Sequence, residues 1–327
     1  MPIEPIRIEI PLGIMFQTVN CYLIPGEQLT LIDCGLYSEE NWQHLQERIN
    51  AHGFKISDIE QVIITHEHRD HIGLLPEIMA HSAAIVRVPK AIEGWFSRPA
   101  EMKKLQGDFN AKLFKSLGFP KEQLAKVFNF FKGEMMGRKI DEMHRIQFYK
   151  EGDFLRIGEE DWEVLNTPGH CPNQFVFLQK EQKRIFGSDM LLPITPMPII
   201  TENPKQAGEP TRSLHDMLHS FERLLSFNIE TIYPGHGPVF VDANAMIEKQ
   251  LARIEMRKEE CFEAIKNGFS TPYQVNRKMY PYQQMPPDFS GMFMVLGYVD
   301  LLVEEERILK KIDNDGNITL YLQKYIL

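Results

Sequence analysis

Three histidines and one aspartate lie within six residues of this chain, in the run His66-Glu67-His68-Arg69-Asp70-His71. The run follows the apolar stretch Val62-Ile63-Ile64-Thr65, which is typical of a β-strand. Imidazole nitrogens and carboxylate oxygens suit zinc and other first-row transition metals. His66 and His68 are two residues apart, so on an extended strand end they project from the same face and can share one ion. The run therefore predicts a metal site at the end of a strand.

Three more potential ligands follow, each after a short apolar or β-branched run that a glycine ends. They are His170 in Thr167-Pro168-Gly169-His170, Asp189 in Phe186-Gly187-Ser188-Asp189 and His236 in Tyr233-Pro234-Gly235-His236-Gly237. Any one of them alone would be typical of a turn. Together with the first run they make seven potential ligands, which is too many for one tetrahedral ion and favours two metal ions.

The elements that must position these residues form two similar β-then-α sets. In the first set we predict a helix over residues 39–50 and strands over 6–10, 18–24, 29–32 and 61–65. In the second set we predict a helix over residues 214–226 and strands over 153–157, 162–166, 175–178, 184–188 and 231–233. A further helix over residues 71–79 would place the second ion near a helix N-terminus. The pattern by itself indicates a mixed α/β fold.

Composition narrows the class of protein. The chain has 327 residues, a net charge of −9 and 43% hydrophobic residues, which fits one large globular domain with a small one. We find no signal peptide and no apolar run of membrane-spanning length, so we expect a cytoplasmic protein. The cysteines lack C-x-x-C spacing, and disulfides are not expected. One of them, Cys171, follows His170, which leaves a role in metal binding open beside the commoner role of a small buried side chain.

The ligand pattern resembles that of the metallo-β-lactamase superfamily of binuclear hydrolases, in the branch that contains β-lactamase-like protein 2 and glyoxalase II. The family motif H-x-H-x-D-H, followed by a His, an Asp and a His, is filled at every position, and the resemblance spans roughly residues 7–240. It implies a four-layer αββα sandwich with a helical insert. It also implies that one metal is held by His66, His68 and His170, and the other by Asp70, His71 and His236. Asp189 would bridge both metals, and Asp33 would support the ligand loop without binding metal.

The resemblance further implies the chemistry. Two divalent ions, with zinc as the default and iron or manganese also suited, would share a hydroxide that attacks an ester, thioester or lactone bond. Asp70 would be the catalytic side chain, orienting the hydroxide and passing its proton to the leaving group. We expect a small-molecule substrate, anionic or acyl-bearing; no sequence feature identifies its contacts.

Two segments lie outside the ligand pattern. Residues 89–149 form a predicted helical insert with Met102, Leu105, Phe109, Leu113 and Leu117 at helical spacing, where family members build a cap. Residues 87–150 have a net charge of +7. These basic side chains either attract an anionic substrate or simply lie on the solvent-exposed face of the helices. We divide the chain into a catalytic domain, residues 1–250, and a winged-helix-like domain, residues 251–327. The tail has a net charge of −1, so nucleic-acid binding is not expected, and we predict a role at the site entrance or in a homodimer.

Other functions remain open at this point. The same ligands occur in RNA-cutting relatives, so a single-stranded RNA nuclease is one alternative. A persulfide dioxygenase with one iron is a second, and a metal-binding or redox protein is a third. All seven ligand positions are filled and the chain shows no obvious phosphate-binding surface, so we favour the hydrolase.

Overall fold

The computed structural model describes residues 3–14, 16–134, 139–204, 206, 208–281 and 289–323, and these residues form two six-stranded sheets and a separate hairpin. In spatial order the first sheet contains β1 (Ile6–Ile14), β2 (Phe16–Ile24), β3 (Thr30–Ile32), β4 (Gln61–Ile63), β5 (Ile85–Pro89) and β6 (Ile146–Tyr149). β1 to β3 are antiparallel neighbours, whereas β3 to β6 run parallel. β3 and β4 are buried throughout, as expected for parallel strands covered on both faces.

The second sheet has mainly antiparallel neighbours. It contains β7 (Phe154–Ile157), β8 (Glu160–Asn166), β9 (Phe175–Gln179), β10 (Arg184–Ser188), β11 (Thr231–Pro234) and β12 (Phe240–Val241), in the spatial order β12-β11-β10-β9-β8-β7. Only β10 and β11 pair in parallel within this sheet. The carboxyl ends of parallel strands lie at one edge of a sheet, so the loops after β10 and β11 start side by side.

Ten α-helices lie within the described residues. They are α1 (Glu39–Ala51), α2 (Arg69–Ile72), α3 (Leu75–His81), α4 (Glu93–Ser97), α5 (Pro99–Ser116), α6 (Lys121–Glu134), α7 (Ser213–Leu225), α8 (Ala243–Lys266), α9 (Pro272–Met279) and α10 (Phe289–Glu304). None of the described helices is long and apolar enough to cross a membrane.

Three apolar cores hold the layers together. The middle core lies between the sheets and is rich in aromatic rings, including Tyr22, Trp162 and Phe186. A second core joins the outer face of the first sheet to α1, α3 and α4. The third joins the outer face of the second sheet to α7, α8 and the C-terminal elements. The predicted αββα sandwich is thereby confirmed.

The insert differs from its prediction in two ways. Residues 146–149 were expected to end a helical segment, but they form β6 at the edge of the first sheet. α5 packs on α10, with the rings of Phe114 and Phe293 6.0 Å apart. The connection between α5 and α6 packs on α9: the rings of Phe119 and Tyr273 lie 4.6 Å apart, and the Tyr273 N–H donates to the Leu117 carbonyl at 2.9 Å. Leu105, expected in the apolar stripe, is 48% exposed. The described contacts therefore join the insert to the tail.

The tail contains three helices and a hairpin of β13 (Ile308–Ile312) and β14 (Ile318–Leu322). The C-terminal domain was expected to begin at residue 251, and this position lies inside α8, which begins at Ala243. α10 is packed against α7 and α8, and most of its described side chains are buried. Because a helix that reads nucleic acid needs an exposed polar face, the hairpin and helices do not by themselves make this tail a winged helix.

The contact between α10 and α7 generates a prediction for stability. A Cβ at Gly297 would lie 2.5 Å from the Leu214 Cβ, whereas a Cβ at Gly107 in α5 would meet no described atom within 4 Å. We expect Gly297→Ala to lower the free energy of unfolding by about 1–3 kcal/mol through overpacking. Gly107→Ala should instead raise it by about 0.5–1 kcal/mol, because alanine restricts the unfolded chain. Chemical denaturation of both variants tests this, and equal effects would contradict it.

Candidate metal centre

All seven predicted ligands meet where strands from both sheets end. His66 to His71 follow β4, Asp189 follows β10 and His236 follows β11, while His170 lies in the connection from β8 to β9. Their donor atoms form three groups in which every atom lies within 4.8 Å of the others. These groups are His66, His68 and His170; His66, His71 and Asp189; and Asp70, His71 and His236. The first and third groups are the two sets that the resemblance implies.

The first group brings three ring nitrogens together. His68 Nδ1 lies 2.9 Å from His66 Nε2 and 2.8 Å from His170 Nε2. The Met197 carbonyl, 2.8 Å from His170 Nδ1, can only accept, so this nitrogen carries the proton. The neutral His170 ring therefore turns the lone pair of Nε2 towards His68.

His66 is oriented by a chain of hydroxyls. The Thr65 hydroxyl donates to the Asp33 carboxylate at 2.8 Å, which uses its only proton. Thr65 Oγ1 must then accept from His66 Nδ1, 3.0 Å away, and from the Ser188 hydroxyl at 2.8 Å. The lone pair of His66 Nε2 is thereby directed into the same space as that of His170. Such hydrogen bonds to the distal nitrogen are usual for metal-binding histidines.

Burial and mutual repulsion keep these imidazoles neutral. Burial first, and then the neighbouring histidines, hold the pKa of His66 well below its usual value. Burial also lowers the pKa of His68, and it lowers that of His170 to about 4 with a further contribution from His68. A neutral imidazole is the form that binds metal, so these three histidines are in the protonation state that a metal ion requires.

The second group contains a different balance of charge. His71 Nδ1 donates to Asp33 Oδ2 at 2.7 Å, and His236 Nδ1 donates to the Thr18 carbonyl at 2.8 Å. Burial opposes protonation of His71 and His236, but the carboxylates around them, with Asp189 the strongest, raise the pKa of both. The Nε2 atoms of His71 and His236 lie within 4.0 Å of the Asp70 and Asp189 carboxylates. The negative charge of these carboxylates favours a cation at this position.

Asp189 lies between the two groups. Its Oδ2 is 3.4 Å from His170 Nε2 and 3.2 Å from His236 Nε2, while its Oδ1 is 3.4 Å from His71 Nε2. Although burial opposes it, His236 and His71 hold the pKa of this carboxyl well below its usual value. An ionised carboxylate in contact with both groups is the placement that a bridging ligand needs.

Two buried atoms test whether a metal fits. His71 Nε2 and Asp189 Oδ1 lie 3.4 Å from each other, and neither makes a hydrogen bond of normal geometry within the described residues. A buried polar atom without a partner costs about 1–3 kcal/mol, so both atoms need an additional partner. Because each is a Lewis base, a divalent cation meets that need at both atoms, and the donor set fits the metals that the sequence implies.

Asp33 ties the ends of the ligand run together. It follows β3 in a left-handed conformation, with φ of 56°, and its N–H donates to the Ile63 carbonyl at 2.9 Å. Its carboxylate accepts from the Thr65 N–H at 2.9 Å and from His71 Nδ1. These contacts agree with the supporting role that the resemblance assigns to this residue.

Gly235 provides the space for the Asp189 carboxylate. A Cβ at this position would lie 2.0 Å from Asp189 Oδ1 and 3.1 Å from His71 Cε1. The Gly235 N–H donates to the Ser188 carbonyl at 2.8 Å, which fixes the loops after β10 and β11 to each other. Sequence reasoning treated this glycine only as the end of a strand.

A clamp on the His236 loop was also missed, and it comes from the other sheet. Asn20 in β2 is 1% exposed, and its Nδ2 donates to the carbonyls of Pro234 and Gly237, both at 2.8 Å. The Asn20 N–H donates to the Gly235 carbonyl at 2.7 Å, and the Tyr22 hydroxyl donates to the Pro234 carbonyl at 2.8 Å. The visible signal was a run of polar side chains at alternate positions of β2, namely Thr18, Asn20 and Tyr22.

The surroundings of Cys171 bear on its open role. Its Sγ lies 3.9 Å from Glu67 Oε2, and the ligand groups found among the described residues do not include it. Burial, and then the Glu67 carboxylate, raise the pKa of the thiol well above its usual value. Since its sulfur lies outside the three ligand groups, we favour the commoner role of Cys171 as a small buried side chain that packs beside the site.

Comparisons with known proteins agree with this geometry. The metallo-beta-lactamase superfamily description matches residues 15–236. The probable metallo-hydrolase YqjP of Bacillus subtilis (strain 168) is 30% identical over 317 residues, covering 93% of this chain and 94% of that protein. An atrochrysone carboxyl ACP thioesterase of Aspergillus fumigatus is 23% identical, over 79% of this chain and 62% of its own length. The hydroxyacylglutathione hydrolase GloC of Haemophilus influenzae is 26% identical, over 53% of this chain and 66% of its own length.

A solved structure shows the same fold over nearly the whole chain. The crystal structure of a metallo-beta-lactamase family protein from Thermus thermophilus matches with a TM-score of 0.76 at 20% identity, covering 97% of this chain and 98% of that one. The family match extends over more than half of the chain and ends at the last predicted ligand, His236. With its αββα sandwich and its meeting histidines and aspartates, the chain belongs to the metallo-beta-lactamase superfamily and is a metallo-hydrolase.

Proposed function

We propose that this hydrolase cleaves an ester, thioester or lactone bond of a small acyl-bearing molecule at a centre of two divalent metal ions. The observation that carries the proposal is the Asp189 carboxylate, which lies within 3.2–3.4 Å of His71, His170 and His236. A carboxylate in contact with both ligand groups supports two adjacent ions. Zinc is the default for such a set, and iron or manganese is also suited.

Asp70 and Asp189 have different roles at this centre. When bound, the metals would supply an activated water and polarise the substrate carbonyl. Asp70 has a side chain that is 23% exposed, compared with 4% for Asp189, and its Oδ2 lies 3.5 Å from His236 Nε2. Because it is the more accessible of the two carboxylates, Asp70 is the better placed to orient the nucleophile and to carry a proton to the leaving group.

Thioesters are the first substrate class to test. Two relatives are named as hydrolases of acylated carriers, one a carboxyl ACP thioesterase and the other a hydroxyacylglutathione hydrolase. The net charge of +7 over residues 87–150 would favour an anionic carrier, such as an acyl-CoA. The cytoplasmic location and the homodimer stay predictions.

The tail gives no support to the nuclease alternative. Its net charge of −1 provides little attraction for phosphates, and α10 is largely buried against α7 and α8. The dioxygenase alternative needs one iron, whereas Asp70, His71 and His236 form a second group of donors beside the first. The nuclease alternative differs from the proposal in its substrate, and the dioxygenase alternative differs in its metal content.

Metal content together with a substrate screen tests the proposal. We expect protein purified without chelator to contain close to two metal ions per chain and to hydrolyse acyl-thioesters. His66→Ala should lose turnover and part of the metal while keeping the wild-type circular dichroism spectrum, because it removes a ligand on a loop. One iron per chain without hydrolysis, RNA cleavage without thioester turnover, or an unimpaired His66→Ala variant would each overturn the proposal.

The space that Gly235 leaves for the Asp189 carboxylate generates a second prediction. Gly235→Ala places a methyl group where the carboxylate lies, so Asp189 must move by an ångström or more. We expect kcat/KM to fall by about 100-fold or more, since displacement of an active-site group on this scale has such an effect. Metal content should fall with it. Gly107→Ala, which meets no described atom, is the matched control, and wild-type activity in Gly235→Ala would show that Asp189 is not held as described.

The clamp from β2 generates a third prediction. Asn20→Ala removes two donors to the His236 loop, and Tyr22→Phe removes one. Support of this kind typically contributes about 10–100-fold to metal affinity. We expect Asn20→Ala to release one metal ion at a lower chelator concentration than the wild type, with a smaller shift in Tyr22→Phe. Added metal should restore Asn20→Ala activity; failure of that rescue would indicate a general folding defect instead.

A further inference from the structure

A second pair of histidines lies on α7, away from the three ligand groups. His215 and His219 are four residues apart, so they share one face of the helix. Their Nε2 atoms lie 3.3 Å from each other, and their side chains are 34% and 65% exposed. The buried residues of α7, which include Met217, Ser220 and Phe221, lie on its other side.

The outer nitrogens of both rings face carboxylates. His215 Nδ1 lies 4.0 Å from Asp216 Oδ1, and His219 Nδ1 lies 3.7 Å from Glu222 Oε2. Both distances are longer than a hydrogen bond, so the carboxylates act through their charge, which favours the tautomer with the proton on Nδ1. In that tautomer both Nε2 atoms carry lone pairs, and at 3.3 Å these lone pairs face each other.

Two facing lone pairs are stabilised by a cation between them. Metal-bound imidazoles usually donate their other N–H to a carboxylate, and Asp216 and Glu222 lie 4.0 Å and 3.7 Å from the nitrogens that would donate here. The carboxylates also give the helix surface a negative charge that attracts cations. A hydrogen bond between the two rings is the competing explanation, and it would need the proton of one ring moved to Nε2.

We propose that His215 and His219 form a solvent-facing site for a divalent transition-metal ion, separate from the candidate metal centre. Two imidazoles select the later first-row ions, with Cu²⁺ bound most tightly and Zn²⁺ and Ni²⁺ next, and they do not select Mg²⁺ or Ca²⁺. The site rests on α7 alone and does not depend on the proposed hydrolase activity.

The position of α7 gives this site a consequence. Ser220 donates from its hydroxyl to the Pro168 carbonyl at 2.7 Å, and the Met217 backbone packs so close to Gly169 that a Cβ there would lie 2.6 Å from Met217 Cα. The buried side of α7 therefore supports the loop that carries His170. An ion that joins two successive turns of α7 stabilises the helix beneath that loop.

A zinc titration of the metal-replete wild-type protein, followed by calorimetry, tests the proposal. We expect one further equivalent of Zn²⁺ per chain beyond the metal already bound, and loss of that equivalent in both His215→Gln and His219→Gln. His52→Gln is the matched control, because His52 is exposed and has no histidine four residues away. It should retain the further equivalent.

The carboxylates and the bound metal provide a second readout. The double variant Asp216→Asn and Glu222→Gln should weaken this equivalent by about 10-fold, at the lower end of the range for groups behind metal-binding histidines. Cu²⁺ bound to the wild type should show two nitrogen ligands by electron paramagnetic resonance, and one or none in His219→Gln. The proposal is wrong if the wild type takes up no further equivalent, if both single histidine variants keep it, or if the nitrogen count is unchanged.

Discussion

The site depends on one buried carboxylate shared by imidazoles from three separate segments of the chain. Asp189 is 3% exposed, and its two oxygens are within 3.4 Å of ring nitrogens of His71, His170 and His236. An ionised carboxylate in such a place is stable only if positive charge balances it. Protons on His71 and His236 or divalent ions can supply that charge, so the same arrangement that keeps Asp189 ionised also attracts metal.

The rest of the fold serves to hold that carboxylate and its neighbours at these distances. The sandwich brings the carboxyl ends of β3 and β4 next to those of β10 and β11, so ligands that are far apart in sequence meet. Contacts between the sheets then fix the loops: Asn20 reaches from β2 to the His236 loop, and the Ser188 hydroxyl reaches from β10 to Thr65. Gly235 is required because the carboxylate occupies the space of a side chain.

Much of this arrangement could be predicted from the sequence because strand periodicity and the ligand motif are local patterns. The ligand run after β4 and the glycine-ended turns before His170, Asp189 and His236 marked the strand ends, and the sandwich is confirmed. Other features depend on tertiary contacts that no local pattern reveals. The carbonyls that orient His170 and His236 belong to Met197 and Thr18, and any residue can provide a carbonyl.

Errors in the prediction have related causes. β6 is only four residues long, Ile146–Tyr149, and its partner β5 is more than fifty residues away, so it was hidden behind the helical insert. α8 begins at Ala243, capped by Asp242, whose left-handed conformation was not anticipated. The amphipathic pattern of the insert showed that it must pack on something, but not that the tail would be its partner.

Anomalous diffraction from crystals of the wild-type protein will show whether two metal ions share Asp189. We expect two peaks about 3.5–4 Å apart, one on each side of the Asp189 carboxylate. One peak would lie among His66, His68 and His170, and the other among Asp70, His71 and His236. A single peak in crystals grown with excess metal, or two peaks of which neither contacts Asp189, would contradict it.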